Sequence, residues 1–374
     1  MAHVERRVRN GKTSYRARYR DPSGHERARV FERKSEALRF LTEAESSKLR
    51  GTWTDPALGR VLFDDWLAEW WSTTVNLRPS TRARDEMMLR LHAVPVFGRR
   101  PLASVTQREV RAWVAALSAG GLSPASVQKA YQLLGKVLGA AVDAGLLAQS
   151  PCRGITLPRV EREEMRFLTP VQVATLADSI DGQYRALVLV AAYGGLRIGE
   201  LAGLRRERVD LLHGTIEVVE IVTEVRGVLH IGPPKTRASR RRVSLPRTVL
   251  AALEEHLQAR RAPSEFVFPA PAGGPMRIPH FRSRFWRSAT RRADLEGLRI
   301  HDLRHTAVAL WIAAGSHPKE VSARAGHTSV SFTLDRYGHQ YPEADDALRT
   351  RLDALIAAAV PEPSAPVLRL ELSH

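Results

Sequence analysis

The stretch LRIHDLRHT, residues 298–306, places His301, Arg304 and His305 within five positions of each other, directly before the apolar run AVALWIAAG. Side chains three and four positions apart share one face of an α-helix, so these three are predicted to project together from a helix that begins near Asp302. Apolar side chains at helical spacing predict the core-facing side of the same helix. They are Leu303, Ala307, Leu310, Trp311 and Ala314.

Two other interpretations compete with a catalytic role for this polar set. Two histidines four positions apart on a helix can bind zinc, but Arg304 would lie on the same face and repel a dication, and no third ligand is evident. The histidines can also form hydrogen bonds at the edge of a core without any part in chemistry. Residues elsewhere in the chain help to choose between these interpretations.

Residues of matching chemical character flank this helix in the sequence. Upstream, GGLRIGEL places Arg197 after a glycine pair, at the predicted start of a helix where Glu200 can hold it. Downstream, AGHTSVSFTLDRYGH contains His327 and Tyr337, joined by a segment of helical character. Arginines and histidines bind anionic oxygens, and a tyrosine can act as a nucleophile.

The order of these motifs resembles the catalytic domain of the tyrosine recombinases of the phage-integrase type. GLRIGEL matches the first arginine motif of that family, PPKTRASRR the lysine hairpin, HDLRHT the His-x-x-Arg motif, AGHTS the second histidine and RYGH the nucleophile. All five motifs occur in the family's order. The resemblance implies a mixed α+β catalytic domain with the DNA breaking-rejoining fold, within a multidomain protein that is mainly α with some β.

The resemblance implies that Tyr337 is the nucleophile of DNA strand cleavage. Attack of the phenol on the scissile phosphate would leave a 3′-phosphotyrosine and a free 5′-hydroxyl, which stores the energy of the broken bond and needs no ATP. Arg197, Arg304 and His327 are implied to bind the non-bridging oxygens, where the transition state concentrates negative charge. Because the arginines take the place of a metal ion, we expect no metal and no cofactor.

Four further residues complete the implied site. In the family a lysine on a β-hairpin protonates the leaving 5′-oxygen, and this role falls to Lys235. His301 is the implied acid–base partner of the phenol, whose unperturbed pKa is about 10. Glu200 is interpreted as support for Arg197, and His305 as a structural residue.

Two positions depart from the family pattern. Ala325 precedes the Gly-His pair where the family usually has leucine, which concerns local packing more than chemistry. Tyr341 follows Tyr337 by four residues and is a second candidate nucleophile. The position within RYGH favours Tyr337.

The charge of the chain predicts a polyanionic partner. Its 374 residues carry a net charge of +17 and the sequence pI is near 10.8, which suits DNA better than a small neutral substrate. A membrane partner is not expected, because no stretch reaches the roughly 20 unbroken apolar residues of a span and the polar start lacks the apolar region of a signal peptide. We therefore expect a cytoplasmic protein, associated with the nucleoid of a bacterial host. Cys152 is the only cysteine, which excludes intramolecular disulfides.

Residues 1–53 predict a small ββα module. In SYRARYR the side chains alternate, so Arg16, Arg18 and Arg20 share one face of a strand. A second strand and a helix follow. An arginine face is often only solvated, but the charge of the chain favours contact of these three arginines with DNA. The module is similar to the arm-type DNA-binding domain of such integrases.

The rest of the chain divides into four predicted parts. Residues 59–150 have a helical pattern throughout and predict a bundle similar to the core-type DNA-binding domain. Residues 151–166 carry two prolines, a glycine and dense charge, which predicts a linker. The predicted catalytic domain spans residues 167–344. The tail, residues 345–374, contains the apolar segment ALRTRLDALIAAAV, for which packing in cis and packing on a neighbouring protomer both stay open.

These features predict a site-specific DNA recombinase, an integrase that inserts and excises a phage or a similar mobile element. The expected partners are double-stranded DNA attachment sites and further copies of the chain, since joining two duplexes calls for a homotetramer. An excision factor or a DNA-bending protein is a further candidate partner. Three alternatives stay open: a type IB topoisomerase-like enzyme with the same chemistry, a catalytically silent DNA-binding protein, and a metal-dependent nuclease, for which no carboxylate cluster is evident.

Overall fold

The computed structural model divides the chain into two compact units, Met1–Arg162 and Glu163–His374, and the division falls within the predicted linker. The structure describes residues 2–22, 24–49, 55, 58–161, 164–259, 264–341 and 345–359; in the last range the side chains are described at 349–350 and 352–357. The predicted boundaries at residues 53 and 344 lie outside the described residues. No helix within the described ranges is long and apolar enough to cross a membrane.

The first unit combines a small sheet with a set of helices. Its strands and helices are β1 (His3–Arg9), β2 (Lys12–Arg20), β3 (Glu26–Phe31), α1 (Lys34–Leu49), α2 (Phe63–Thr73), α3 (Pro79–Met88), α4 (Val94–Phe97), α5 (Gln107–Ala119) and α6 (Pro124–Asp143).

The N-terminal module is a small sheet followed by a helix, as predicted, but the sheet has three strands in place of the predicted two, so the module is βββα. Antiparallel β1 pairs with β2 and β2 with β3, in the order β1-β2-β3. The additional strand is His3–Arg9, most of which is exposed, so no alternation of apolar residues reveals it in the sequence. It joins β2 through Asn10 and Gly11, whose φ values of 51° and 74° fit a two-residue hairpin turn.

Strand β2 has the two faces that its alternation predicts. Ala17 and Tyr19 are buried in a small core with residues of α1, namely Ala37, Leu41 and Ala44. Arg16 and Arg18 are half-buried and Arg20 is exposed. Contact of these arginines with DNA stays a prediction.

The helices α2 to α6 bury a separate apolar core. Trp66 lies in this core and its indole N–H donates to the Val137 carbonyl at 2.8 Å. A widened turn over Leu89–Ala93 joins α3 to α4. Pro95, in the first turn of α4, lacks the N–H that a regular helical turn requires.

The second unit mixes helices with short strands. Its elements are α7 (Pro170–Ser179), α8 (Arg185–Gly194), α9 (Ile198–Ala202), β4 (Val209–Asp210), β5 (Thr215–Val218), β6 (Ile221–Val225), β7 (Val228–Gly232), β8 (Arg241–Ser244), α10 (Arg247–Ala259), α11 (Ile278–Phe281), α12 (Arg287–Arg292), α13 (Ile300–Ala313), α14 (Pro318–Ala325), α15 (Val330–Tyr337) and α16 (Asp345–Ala359).

Two small antiparallel sheets flank the helical core of this unit. Strands β4, β5 and β8 form one sheet in the order β4-β5-β8, while β6 and β7 form a separate hairpin. Helix α8 is buried along most of its length and shares one core with Leu303 of α13. Further along α13, Ala307 and Trp311 belong to a second cluster that also contains Ala325 and Tyr337. The polar side of α13 is thereby held close to α8, α14 and α15.

Candidate active site

Arg197 is fixed at the start of α9 by its own capping interactions. As the residue before the helix, its backbone N–H donates to Glu200 Oε2 at 2.9 Å and its guanidinium Nη1 donates to Glu200 Oε1 at 2.8 Å. Nη2 reaches the Gly326 carbonyl at 3.4 Å. The Arg197 side chain remains 38% exposed. It is therefore a cation that a ligand can approach and whose orientation the two hydrogen bonds to Glu200 fix.

Arg304 is the buried cation of the site. Its residue exposure is 3%; Nη1 donates to the Gly195 carbonyl at 2.6 Å, and Nη2 donates to the Ala325 carbonyl. Burial, and then the nearby charges of Arg197 and Arg241, lower the Arg304 pKa to about 9. Arg304 therefore stays charged at neutral pH.

His327 follows a tight turn at the end of α14. Gly326 adopts a left-handed conformation there, with φ of 65°, which a side chain would strain. The ring Nδ1 of His327 lies 2.8 Å from Thr333 Oγ1. Burial, followed by the charges of Arg304 and Arg197, lowers the pKa of His327 to about 3. The imidazole is thus neutral at pH 7, and its Nδ1 is occupied by Thr333.

Tyr337 ends α15 inside this cluster. It is 1% exposed, and its hydroxyl lies 2.6 Å from Nδ1 of His305. Its ring is parallel to that of His327, with 6.2 Å between centroids. Burial raises the Tyr337 pKa, while the charges of Arg304 and Arg336 oppose that rise. The phenol is therefore held in its neutral form next to a concentration of positive charge.

The two histidines of α13 lie in different environments. His305, interpreted as structural, is buried and contacts the Tyr337 hydroxyl. His301, the predicted acid–base partner, is exposed, with its ring centroid 4.7 Å from that of His305. Partial desolvation and the charges of Arg304 and Arg197 lower the His301 pKa. Motif spacing could not distinguish them, because both histidines lie on one helical face and only the placement of α15 decides which meets the phenol.

Lys235 is not joined to this cluster. It lies exposed between β7 and β8, and within the described residues no hydrogen bond or ion pair holds its ammonium group. The segment that follows is better fixed: Ser239 is buried, and a Cβ at Gly326 would lie 3.0 Å from the Ala238 carbonyl oxygen.

Arg241 is a site residue that the motifs did not single out. Its side chain is 6% exposed and forms a buried ion pair with Glu200, with 3.0 Å between Nη2 and Oε2. In the run RRRVSLP three arginines are adjacent and look equivalent. Strand alternation nevertheless gives a signal, because Arg241 has the same parity as Val243 and Leu245, which are both buried.

The two departures from the motif pattern both lie in the apolar cluster around Tyr337. Ala325 is fully buried there. Tyr341 is half-buried, and its buried hydroxyl has no hydrogen-bond partner among the described residues. Burial raises the Tyr341 pKa. Of the two tyrosines, Tyr337 is the one whose hydroxyl has a histidine partner.

Comparison with known proteins gives consistent matches. The model of the phage integrase family matches residues 166–344, and that of the phage integrase N-terminal SAM-like domain matches residues 62–118. The prophage phiRv2 integrase of Mycobacterium tuberculosis is 30% identical over 356 residues, covering 91% of this chain and 92% of the relative.

Two solved structures show the same fold at low sequence identity. The Tn1549 transposon integrase in complex with circular intermediate DNA matches with a TM-score of 0.68 and 21% identity, covering 79% of this chain and 99% of that chain. A lambda integrase tetramer bound to a Holliday junction matches with a TM-score of 0.56 and 18% identity, covering 88% and 94% of the two chains.

Proposed function

The chain belongs to the phage integrase family of tyrosine recombinases, and from this premise we propose that it cleaves and rejoins DNA with Tyr337 as its nucleophile. It is a site-specific recombinase that integrates and excises mobile DNA. The observation that carries the assignment is the contact of the buried Tyr337 hydroxyl with His305, within the cluster that contains Arg304 and His327.

The scissile phosphate is bound by Arg197 and Arg304, with His327 as a further donor. Arg197 is exposed enough for a phosphate to reach it, while its orientation is already set by Glu200. Arg304 supplies a second positive charge from the protein side. In the tautomer in which Nδ1 of His327 accepts from Thr333, Nε2 carries the proton and can donate to a non-bridging oxygen. These groups stabilise the charge of the pentavalent transition state.

Cleavage then exchanges one phosphodiester for another. The Tyr337 oxygen forms a bond to phosphorus as the bond from phosphorus to the 5′-oxygen breaks, which leaves a 3′-phosphotyrosine. The phenolic proton leaves through the histidines of α13, with His305 as its first acceptor and His301 at the solvent side. Lys235 protonates the departing 5′-oxygen. Rejoining is the reverse reaction, with a 5′-hydroxyl as the nucleophile.

Recombination of two duplexes calls for four copies of the chain on DNA. The lambda integrase of the structural comparison is a tetramer on a Holliday junction, which supports the same assembly here. In α16, Leu352, Leu355 and Ile356 are 47–67% exposed, which supports packing of the tail on a neighbouring protomer. Residues 1–53 and 59–150 are the proposed arm-type and core-type DNA-binding domains, and Arg16, Arg18 and Arg20 the proposed arm contacts.

Covalent capture on DNA tests this function. Substrates nicked close to candidate core sites, taken from the flanks of the gene, release after cleavage the short fragment that carries the new 5′-hydroxyl. Loss of this nucleophile prevents rejoining and traps the protein on the strand. The wild-type chain is expected to give a covalent band on a denaturing gel and Tyr337→Phe none, because phenylalanine has no hydroxyl. Tyr341→Phe is the matched control and should retain the band.

The other outcomes separate the alternative functions. A band that persists in Tyr337→Phe and disappears in Tyr341→Phe would move the nucleophile to Tyr341. Tight binding without any wild-type band would favour a silent DNA-binding protein. Relaxation of supercoiled DNA without strand exchange between two sites would favour the topoisomerase-like alternative.

A further inference from the structure

Arg241 is the last residue of the PPKTRASRR motif, but the proposed mechanism gives it no role. Its side chain is almost fully buried. All three of its side-chain nitrogens lie within hydrogen-bond distance of protein oxygens. Nε donates to the Arg324 carbonyl at 2.6 Å, and Nη1 to the Ser239 carbonyl at 3.0 Å. Nη1 and Nη2 donate to Glu200 at 3.1 and 3.0 Å. A buried cation with this many fixed partners has one available orientation.

Glu200 links Arg241 to Arg197. Each carboxylate oxygen of Glu200 accepts two hydrogen bonds, one from each arginine. Oε1 accepts from Nη1 of Arg197 and from Nη1 of Arg241. Oε2 accepts from the Arg197 backbone N–H and from Nη2 of Arg241. Burial opposes the charged form of Glu200, and Arg241 is the strongest influence that lowers its pKa. Arg241 therefore keeps the buried carboxylate ionised, and the ionised carboxylate orients Arg197.

The second contact of Arg241 reaches the turn that precedes His327. The Arg324 carbonyl lies in the last turn of α14, two residues before Gly326. A Cβ at Gly326 would lie 3.2 Å from Cδ of Arg241, so the turn packs directly on the arginine stem. The Gly326 carbonyl in turn accepts from Arg197. One side chain thus supports both the first arginine and the histidine turn.

We propose that Arg241 is a positioning residue for strand cleavage, which holds Arg197 through Glu200 and the Gly326–His327 turn through the Arg324 carbonyl. This inference rests on the proposed function. Arg241 donates four hydrogen bonds to protein oxygens, so it acts through the protein and not on the phosphate itself. Its effect is to fix the distance between two groups that must contact one phosphate, and misplacement of catalytic groups by about 1 Å can cost about 100-fold in rate.

Single-turnover cleavage of the nicked substrates tests the proposal with two scissile linkages. One substrate carries the ordinary phosphodiester and the other a methylphosphonate, in which a methyl group replaces a non-bridging oxygen and removes the negative charge. Arg241→Met is expected to cleave the phosphodiester about 100-fold more slowly than the wild-type chain. On the methylphosphonate the ratio should fall below about tenfold, because a neutral group depends less on a well-placed arginine. Arg197→Ala should show the same pattern.

Matched variants separate positioning from folding. Arg242→Met removes the same charge from the exposed neighbour on β8 and should leave both rates near wild type. Arg241→Met leaves the buried carboxylate of Glu200 without its partner and can therefore unfold the chain. The double variant Glu200→Gln with Arg241→Met removes both charges. If circular dichroism shows that the single variant is unfolded, the cleavage rates of the double variant test the proposal.

Two results would overturn the proposal. One is wild-type cleavage of the phosphodiester by the folded variant. The other is an equal loss on both linkages, which would indicate a general structural defect. Absence of a covalent band with the wild-type chain would instead count against the proposed function itself, so the two failures are distinguishable.

Discussion

The arginine–histidine cluster and the lysine segment of the proposed active site differ in how firmly they are held. Arg304, His305 and Tyr337 are each 3% exposed or less, and each has a hydrogen-bond partner within the second unit. Lys235 is exposed, and its ammonium group has no hydrogen-bond partner among the described residues. The part proposed to bind the phosphate is thus assembled by the fold, whereas the group proposed to protonate the leaving oxygen is not.

This difference has a chemical consequence. Burial of cations and a neutral phenol in one place is costly unless each group is hydrogen-bonded, so the cluster must be built together with the core. An exposed lysine carries no such cost, and it can donate a proton only once it is next to the leaving group. We therefore expect the cluster to tolerate little change, and Lys235 to take its place beside the leaving oxygen only when DNA is bound.

The largest effect on the cleavage rate is expected from loss of the Lys235 side chain. Lys235→Ala should slow cleavage of the phosphodiester about 10²–10⁴-fold, the usual contribution of a general acid. A substrate with sulfur in place of the bridging 5′-oxygen should restore most of this loss, because a thiolate leaves without protonation. Single-turnover rates on the two substrates measure both effects.

Lys319→Ala is the control for the loss of one positive charge, since Lys319 is also an exposed lysine of the second unit. It should cleave both substrates at close to wild-type rates. An equal loss for Lys235→Ala on the oxygen and sulfur substrates would remove Lys235 from the proton-transfer step and leave it a role in DNA binding only.

A smaller effect is expected inside the cluster, at the contact between His305 and Tyr337. His305→Leu removes the acceptor of the phenolic proton and should slow cleavage about five- to tenfold, the rate equivalent of one hydrogen bond. His305→Asn retains an acceptor near the position of Nδ1 and should recover part of the rate. Single-turnover cleavage compares the two variants, with His301→Asn as the parallel change at the exposed histidine. If His301→Asn slows cleavage and the two His305 variants do not, His305 is not the acceptor of the Tyr337 proton.

The sequence predicts those parts of the site whose geometry is local. Arg197 and Glu200 are three positions apart at a helix start, so their capping interaction follows from spacing alone. The helix that ends at Tyr337 and the faces of β2 follow from periodicity in the same way. Motif order then joined these pieces into one site.

The parts that were missed depend on contacts between distant segments. Strand β1 is exposed and rich in arginine, so only the Asn10–Gly11 turn signals it. The partner of Tyr337 depends on how α15 packs against α13, which spacing does not specify. Arg241 binds Glu200, which is 41 positions away in the sequence. The position of Arg241 on the same strand face as Val243 predicts that it is buried but does not specify Glu200 as its partner.

The smallest expected effect concerns stability and tests whether the cluster is built around neutral histidines. The pKa of His305 is lowered to about 4 and that of His327 to about 3, whereas an unfolded histidine has a pKa of about 6.5. Between these values the unfolded chain binds more protons than the folded chain. The contribution of these histidines to the free energy of unfolding should therefore be at its full value above pH about 6.5 and decrease as the pH falls towards 4.

Pulse proteolysis across urea, at pH 7 and pH 5, measures the unfolding midpoint of the second unit. His327→Asn, which cannot take up this proton, should lose less stability between the two pH values than the wild-type chain, whereas the exposed His213→Asn should behave like wild type. The same loss in all three chains would mean that His327 does not contribute to this pH dependence.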